Sequence, residues 1–188
     1  MEYYFTAEKL AVGYDNRPLI ENIDFSLKRG EILTLIGPNG AGKSTILKSI
    51  ARQLSLVSGT IYLDKSDVVT MNGNEFAKKM AVVLTDKLKT ELMTCYDVGA
   101  TGRYPYTGRF GVLSDEDKKA VDEAMELVNV SQIKDKDFTK ISDGQRQRVM
   151  LSRAICQQPE IIVLDEPTSY LDIKYKLEFL SILQRLKR

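Results

Sequence analysis

A short glycine-rich segment constrains this sequence more than any other feature. The apolar run from Glu31 to Ile36 predicts a buried strand, and the pattern from Lys43 to Gln53 predicts a helix. Between them, residues 37–45 read Gly-Pro-Asn-Gly-Ala-Gly-Lys-Ser-Thr and fit the pattern G-x-x-x-x-G-K-[ST]. A strand, a glycine-rich loop and a helix in this order let backbone N–H groups turn inward around phosphates. The segment therefore predicts an α/β fold built around a phosphate-binding loop.

The residue types in this phosphate loop (residues 37–45) suit a magnesium nucleotide. Lys43 supplies a point charge for the β and γ phosphates and is also a catalytic candidate, and Ser44 is a candidate ligand of Mg²⁺. A glycine-rich turn that merely precedes a helix is the alternative, and the strand before the loop together with its Lys-Ser ending argues against it. The candidate binding residues are Gly37, Pro38, Asn39, Gly40, Ala41, Gly42, Lys43, Ser44 and Thr45.

An acidic pair, Asp165 and Glu166, follows the apolar run from Ile161 to Leu164. Four apolar residues that end in two acids place the carboxylates at the carboxyl end of a buried parallel strand, where α/β folds bind ligands. In a protein with a phosphate loop, Asp165 would hold Mg²⁺ through water, and Glu166 would orient or deprotonate the attacking water. Two ordinary surface acids are the alternative.

A third motif, the signature segment from Ser142 to Gln145, opens a predicted helix that runs to Gln157. Its spacing also fits a capping box, so a well-capped helix start is one interpretation. The free N–H groups and the helix dipole make such a terminus equally suited to a phosphate.

Composition excludes several partners and sites. The 27 basic and 26 acidic side chains leave a formal charge of +1, which does not favour nucleic acid or an anionic membrane. No apolar stretch approaches the roughly 20 residues that a membrane helix needs, so we expect no direct membrane insertion. Cys95 and Cys156 lie far apart in a chain without a signal peptide, which favours reduced thiols and a cytoplasmic setting.

The remaining pattern predicts one domain over residues 1–188, because no repeat or linker interrupts it. We expect a mainly parallel core sheet, an antiparallel β-subdomain at the N-terminal side and a helical subdomain at about residues 86–157. Capping boxes are predicted at Thr94 to Asp97 and Ser114 to Asp117. Further predicted elements are strands at 3–12, 20–27, 60–63 and 81–84, a turn at 15–18, a short helix near 75–79, a helix with Val121, Ala124, Met125 and Val128 on one face, and a final helix with Leu177, Leu180, Leu183 and Leu186 at helical spacing.

Taken together, these motifs resemble an ATP-binding cassette (ABC) ATPase domain over essentially all 188 residues. The phosphate loop, the signature segment, the acidic pair and the following Ser169-Tyr170-Leu171-Asp172 occur in the order and spacing of that family. The resemblance implies the ABC ATPase fold of the P-loop NTPases, with ATP and Mg²⁺ as its ligands and ATP hydrolysis as its activity.

The same resemblance implies a head-to-tail homodimer that encloses two ATP molecules. Ser142, Gly144 and Gln145 would contact the γ-phosphate of ATP bound to the second ABC ATPase subunit, and Asp172 would belong to a loop that crosses the dimer seam. Tyr14 would stack on adenine, although a tyrosine on a half-buried strand also suits a core position.

Three departures from the family pattern limit what the resemblance carries. Asp143 and Ile141 stand where glycine and leucine are usual, and Thr85 or Asp86 stands where a metal-contacting glutamine is usual, with Thr85 the metal-ligand candidate. The chain also has no histidine, so the switch histidine that follows the acidic pair is missing before Arg188. We therefore expect a C-terminally truncated piece of a longer protein, one that binds ATP and hydrolyses it poorly.

The tyrosine segment, from Asp97 to Gly108, is similar to the helical subdomain of importers for iron-siderophore complexes, haem and cobalamin. That similarity implies an integral membrane permease as partner and a peripheral position on the inner face of the cell membrane. A tyrosine-rich surface loop without a partner is the alternative. The absence of a heptad coiled coil and of a second cassette argues against chromosome-associated and translation-associated ABC proteins. A degenerate cassette that binds ATP in a regulatory role stays open.

Overall fold

A computed structural model describes residues 3–84, 92–169 and 171–186 of the chain. These residues divide into two compact units, the first ending at Phe76 and the second running from Ala77 to Leu186. The first unit carries the phosphate loop, and the second carries the signature segment and the acidic pair. The single domain predicted over residues 1–188, with a helical subdomain at about 86–157, stays a prediction beside this division.

The sheet of the first unit has four antiparallel strands in the order β2-β1-β3-β4. The strands are β1 (Phe5–Tyr14), β2 (Arg17–Leu27), β3 (Ser58–Leu63) and β4 (Ser66–Asp67). Asp15 and Asn16 connect β1 to β2 with φ of 49° and 57°, the left-handed pair that a two-residue hairpin turn requires. The predicted N-terminal antiparallel sheet is confirmed. The turn predicted at residues 15–18 is shorter, because Arg17 and Pro18 already pair with β1.

Helix α1 (Lys43–Ile50) follows the phosphate loop and packs on β1. Its buried face consists of Thr45, Ser49 and Ile50. Because the first turn of α1 is anchored through Thr45, the end of the phosphate loop is fixed to the sheet of its own unit.

The buried strand predicted from Glu31 to Ile36 is wrong. These residues form no ladder, and Ile32, Leu33 and Ile36 are 58%, 45% and 91% exposed. An apolar run becomes a buried strand only where neighbouring strands supply backbone partners and cover both faces. The ladders of the described residues supply no such partner, so the run stays irregular.

The second unit pairs β5 (Met80–Val83) with β6 (Ile161–Leu164) in parallel, after a short helix α2 (Gly73–Lys79). This parallel sheet is smaller than the predicted core sheet because residues 31–36 join no ladder. The remaining helices are α3 (Cys95–Ala100), α4 (Asp115–Leu127), α5 (Asp143–Cys156) and α6 (Ile173–Leu186). Their shared core includes Val98, Val121, Met125, Phe138, Leu151 and Phe179.

Capping boxes open both α3 and α4, as predicted. Thr94 and Asp97 exchange reciprocal hydrogen bonds at the start of α3, and Ser114 and Asp117 do the same at α4. Each box satisfies two N–H groups that a helix start leaves without partners. The predicted apolar face of α4 is also buried, through Val121, Ala124, Met125 and Val128.

The buried face of α6 differs from the predicted one. Phe179 and Ile182 are buried, and Leu183 and Leu186 pack against them, whereas Leu177 and Leu180 are 62% and 49% exposed. Residues 179, 182, 183 and 186 follow the i, i+3, i+4, i+7 spacing of one helical face, which Leu177 and Leu180 do not share. The spacing of the leucines alone therefore predicts the wrong buried face for α6.

A buried arginine organises the segment between α3 and α4. Arg103 is 5% exposed, and its Nε donates to Asp117 Oδ1 at 2.8 Å while its Nη1 donates to the carbonyl of Cys156 at 2.7 Å. Nη1 also lies 3.0 Å from Gln158 Oε1, and the guanidinium stacks on the Tyr106 ring at 3.8 Å. These hydrogen bonds, the ion pair and the ring contact offset the cost of burying the guanidinium.

Gly102 brings this segment close to the backbone of α5. A Cβ at Gly102 would overlap the carbonyl oxygen of Arg153 and lie 2.6 Å from Cys156 Sγ. The close approach also buries the Cys156 thiol, which donates to the carbonyl of Gly99, and burial raises the pKa of Cys156 to about 12. The absence of a side chain at position 102 therefore sets the depth at which Arg103 enters the core.

Gly102→Ala tests this close approach. We expect the free energy of unfolding to fall by about 2 kcal/mol, because an added methyl group in a packed contact forces the backbone apart. Urea unfolding measures the change. Gly73→Ala is the control, because a Cβ there meets nothing within 4 Å and should leave the free energy of unfolding nearly unchanged. Equal effects of the two substitutions would contradict the interpretation.

Asp117→Asn tests the buried ion pair. Hydrogen bonds from Ser114 and the pairing with Arg103 lower the pKa of Asp117 against the opposing effect of burial. A lowered carboxyl pKa stabilises the fold above the ordinary value of about 3.9, and that stability is lost as pH falls through the folded pKa. We expect a loss of about 3 kcal/mol at neutral pH.

The difference between wild type and Asp117→Asn should shrink as the pH is lowered towards about 3, measured by unfolding at several pH values. Asp115→Asn is the matched control on the same helix, because the side chain of Asp115 is 99% exposed and its pairing with Lys118 contributes little. A difference that stays constant with pH would count against the pair as the source.

Candidate functional site

The phosphate loop leaves the start of α1 uncapped. Gly42 occupies the N-cap position at φ 84° and offers no side-chain hydrogen bond, whereas α3, α4 and α5 each begin with a capping box. The first-turn N–H groups of a helix have no intrahelical partner. At α1 no N-cap side chain takes up these groups, and the helix dipole favours an anion there.

Two glycines of the loop are required for different reasons. Gly40 adopts φ 80°, and a methyl group added there would meet nothing within 4 Å, so its conformation alone demands glycine. At Gly42, a Cβ would also lie 2.5 Å from Ile20 Cδ1 and 3.2 Å from Leu19 Cδ2. The side chains of Leu19 and Ile20 in β2 therefore pack directly against the phosphate loop at Gly42.

Lys43 ties the two ends of the loop together. Its Nζ donates to the carbonyls of Gly37 at 2.9 Å and Pro38 at 2.8 Å. An ammonium has three protons, so one donor remains for a phosphate oxygen after both carbonyls are bound. The loop therefore presents a positioned positive charge beside uncapped amides, which fits a polyphosphate.

Tyr14 lies at the end of β1, close to the phosphate loop. Its hydroxyl is 3.3 Å from Thr45 Oγ1, and the residue is 53% exposed. The core position considered for Tyr14 is therefore wrong, because the ring is accessible to a ligand. Stacking of Tyr14 on adenine stays a prediction.

The acidic pair in the second unit occupies two different environments. Asp165 is 6% exposed, and its N–H donates to the carbonyl of Val83, which extends the β5–β6 ladder past Leu164. Glu166 leaves the ladder at φ 47° and is exposed. Its carboxylate accepts a hydrogen bond from Ser169 Oγ at 2.9 Å.

The signature segment forms the predicted capping box at the start of α5. Ser142 Oγ accepts from the N–H of Gln145 at 3.3 Å, and Gln145 Oε1 accepts from the N–H of Ser142 at 3.2 Å. The carboxylate of Asp143 pairs with Arg146 at 2.6 Å, so the charge introduced by this unusual residue is neutralised within its own helix turn.

Gly144 lies beside the segment that leads into α6. A Cβ at Gly144 would come within 3.6 Å of Leu171 and 3.7 Å of Tyr175. Asp172 Oδ1 accepts from the N–H of Tyr175 at 3.0 Å and so caps α6. The second unit therefore brings Gly144 of the signature segment close to the residues around Asp172.

No transmembrane-length apolar helix occurs in the described part of the chain. Among the same residues, no group of three His, Cys, Asp or Glu side chains could hold a metal ion. A magnesium ion at Asp165 or Ser44 would therefore need nucleotide phosphates and water as further ligands, as Mg²⁺ usually does in nucleotide sites. The predicted metal ligand Thr85, and Asp86 beside it, lie outside the described residues.

Comparison with known proteins decides the family. A family model described as ABC transporter matches residues 20–169, a span that contains the phosphate loop, the signature segment and the acidic pair. The chain belongs to the ABC transporter family. The predicted resemblance is thereby confirmed.

Curated relatives agree with this assignment. An uncharacterized ABC transporter ATP-binding protein of Methanocaldococcus jannaschii is 46% identical over 179 residues, which is 95% of this chain and 62% of the relative. The iron(3+)-hydroxamate import ATP-binding protein of Bacillus subtilis is 37% identical over 183 residues, which is 97% of this chain and 68% of that protein. The chain thus spans about two thirds of the length of these relatives.

Solved structures confirm the predicted ABC ATPase fold. An inward-facing putative metal-chelate type ABC transporter matches with a TM-score of 0.85 and 27% identity, over the whole of this chain and 69% of that one. A dimeric ATP-binding cassette in a post-hydrolysis state with ADP and phosphate matches with a TM-score of 0.83 and 25% identity, over 98% of this chain and 83% of that one.

Sequence reasoning missed the arginines that hold the ABC signature in place. Arg146 donates from Nη2 to the carbonyls of Thr139 and Ile141, besides pairing with Asp143. Arg148 donates to Glu178 at 2.8 Å and lies over the Tyr175 ring, which joins α5 to α6. The i, i+3 spacing of Asp143 and Arg146 was a usable signal, whereas the partners of Arg148 depend on tertiary packing.

Lys43→Ala tests the phosphate loop. Loss of the positioned ammonium removes a charge-assisted hydrogen bond to phosphate, so we expect affinity for a fluorescent ATP analogue to fall by about 10- to 100-fold. Fluorescence titration measures the change. Lys48→Ala is the control, since Lys48 lies in the last turn of the same helix. Equal affinities of the two variants would contradict the assignment.

Proposed function

We propose that the complete protein is the ATP-binding subunit of an ABC importer, coupling MgATP binding and hydrolysis to the uptake of an iron-siderophore, haem or cobalamin type substrate. The observation that carries the proposal is the uncapped start of α1 with Lys43 bridging the loop carbonyls. Membership of the ABC transporter family and the likeness to an iron(3+)-hydroxamate import ATP-binding protein support it.

In this proposal the phosphate loop binds ATP, and Tyr14 receives the adenine. The uncapped start of α1 and the ammonium of Lys43 would bind the phosphates, and Ser44 and Asp165 would hold Mg²⁺, with Thr85 as a further candidate. Bound Mg²⁺ would neutralise part of the phosphate charge. Glu166 orients the attacking water or accepts its proton, which its exposed carboxylate permits.

The partner in hydrolysis is a second copy of the subunit, in a head-to-tail homodimer. Ser142, Gly144 and Gln145 would contact the γ-phosphate held by the other copy, and Asp172 would lie at the seam. The ion pair between Asp143 and Arg146 supports this role, because it removes an uncompensated negative charge from the start of α5. The likeness to a dimeric cassette with ADP and phosphate supports the pairing of two subunits.

The partner in transport is an integral membrane permease, which would hold the subunit on the cytoplasmic face of the membrane. The tyrosine segment supports this partner, because it combines exposure with rigidity. Tyr104 is 62% exposed, and Phe110, two residues beyond the segment, is 89% exposed, whereas Tyr106 donates to the carbonyl of Gln157 and stacks on the buried Arg103. A surface loop without a partner has no need of a buried guanidinium to hold its aromatic rings.

A regulatory cassette that binds ATP without turnover is the second candidate. Its support is the altered signature, with Asp143 and Ile141, together with Thr85 or Asp86 in place of the usual glutamine, which lie outside the described residues. The carboxylate of Asp143 is paired locally and leaves the capping box of α5 intact, so this part of the departure is compatible with an enzyme.

Steady-state ATP hydrolysis by the full-length protein, assembled with its permease, tests the proposal. Glu166→Gln should retain ATP binding and lower turnover by about 10² to 10³, since one preorganised catalytic contact is lost. Glu116→Gln, an exposed acid on α4, should resemble wild type. Tight ATP binding without any Glu166-dependent turnover would instead support the regulatory candidate.

A further inference from the structure

The turn that follows β6 holds Glu166 in an unfavourable backbone conformation. Glu166 has φ 47°, in the left-handed region where a residue with a side chain costs about 1–2 kcal/mol. Such conformations persist only where neighbouring contacts impose them. Here the N–H of Ser169 donates to the carbonyl of Glu166 at 3.0 Å and closes the turn.

The hydroxyl of Ser169 makes a second contact to the same residue. Its Oγ donates to Glu166 Oε2 at 2.9 Å, which is the only side-chain hydrogen bond of Glu166 among residues 3–84, 92–169 and 171–186. A free glutamate on an exposed turn samples several rotamers, and ordering it costs up to about 2 kcal/mol. The hydroxyl therefore restricts a carboxylate that has no other side-chain hydrogen bond in the described part of the chain.

The geometry of this contact preserves the acceptor capacity of the carboxylate. A carboxylate has two oxygens with about four lone-pair positions, and Ser169 uses one of them on Oε2. Oε1 remains for a water molecule. The hydroxyl donates and takes no proton, so Glu166 stays an acceptor.

We propose that Ser169 is a positioning residue for Glu166, holding its carboxylate in the orientation that accepts a proton from, or orients, the water that attacks ATP. This inference rests on the proposed ATP hydrolysis. Ser169 does not touch ATP in this role and acts through Glu166 alone. The energetic consequence should appear in the hydrolytic step and not in nucleotide binding, because the ordering of Glu166 matters only once water attacks.

The test uses the full-length protein assembled with its permease, with steady-state ATP hydrolysis and nucleotide affinity measured for each variant. Ser169→Ala should lower kcat by about three- to ten-fold, the range of one net hydrogen bond, with KM and ATP affinity within about two-fold of wild type. Ser169→Thr, which keeps the hydroxyl, should restore most of kcat. The backbone bond from the N–H of residue 169 remains in both variants, and thermal unfolding checks that the fold is kept.

A double-mutant cycle separates positioning from any other role of Ser169. Glu166→Ala removes the carboxylate that the hydroxyl contacts, so Ser169→Ala should change the residual kcat by less than about two-fold in that background. An equal loss in both backgrounds, or a raised KM with kcat unchanged, would show that Ser169 acts elsewhere and overturn the inference.

Different experimental outcomes would contradict the proposed function and the role of Ser169. If wild type hydrolyses ATP in a Glu166-dependent manner and Ser169→Ala matches it, the inference is wrong and the proposed function stands. If wild type shows no Glu166-dependent hydrolysis, both are overturned.

Discussion

The structure of this ABC family member depends on a helix that begins without a cap. Helices α3, α4 and α5 begin with capping boxes, whereas α1 begins at Gly42, which offers no side-chain cap. An uncapped start lowers the stability of a helix by about 1 kcal/mol relative to a capped one. A bound anion can offset this loss. The hydrogen bonds from Lys43 to the carbonyls of Gly37 and Pro38 stabilise the conformation of the phosphate loop. The function argued for the chain follows from this uncapped terminus.

Helix α5 of the second unit is held at both ends. At its start, Arg146 joins Asp143 to the carbonyls of Thr139 and Ile141. At its end, the carbonyl of Cys156 accepts from Arg103, and Gln157 Nε2 donates to the carbonyls of Ala77 and Met80. These contacts tie both ends of α5 to neighbouring elements of the second unit.

Local sequence signals predicted much of this architecture. Asp15 and Asn16 marked the hairpin turn, and three S/T-x-x-D/Q patterns marked the starts of α3, α4 and α5, because each signal acts within four residues. The prediction for residues 31–36 failed because a buried strand needs partners that hydrophobicity alone does not reveal. The spacing of the leucines predicts the wrong face of α6, because the buried face is centred on Phe179 and Ile182.

The candidate site residues also divide into those that local sequence patterns predict and those that depend on tertiary structure. The phosphate loop and the acidic pair were predictable because their chemistry requires fixed residue types at short spacing. The burial of Arg103 and the contact between Ser169 and Glu166 were not, since both depend on where the backbone turns. Asp143 gave an intermediate case, in which an unusual residue was visible in the sequence and its neutralising partner became clear from the structure.

The central claim is that the uncapped start of α1 and Lys43 recognise phosphate groups. Titration calorimetry of the protein with MgATP, compared with AMP, tests it most directly. The account predicts saturable MgATP binding at least about 100-fold tighter than AMP binding, since AMP lacks the phosphates that Lys43 would contact. Equal affinities for the two nucleotides, or no saturable heat with millimolar MgATP, would contradict it.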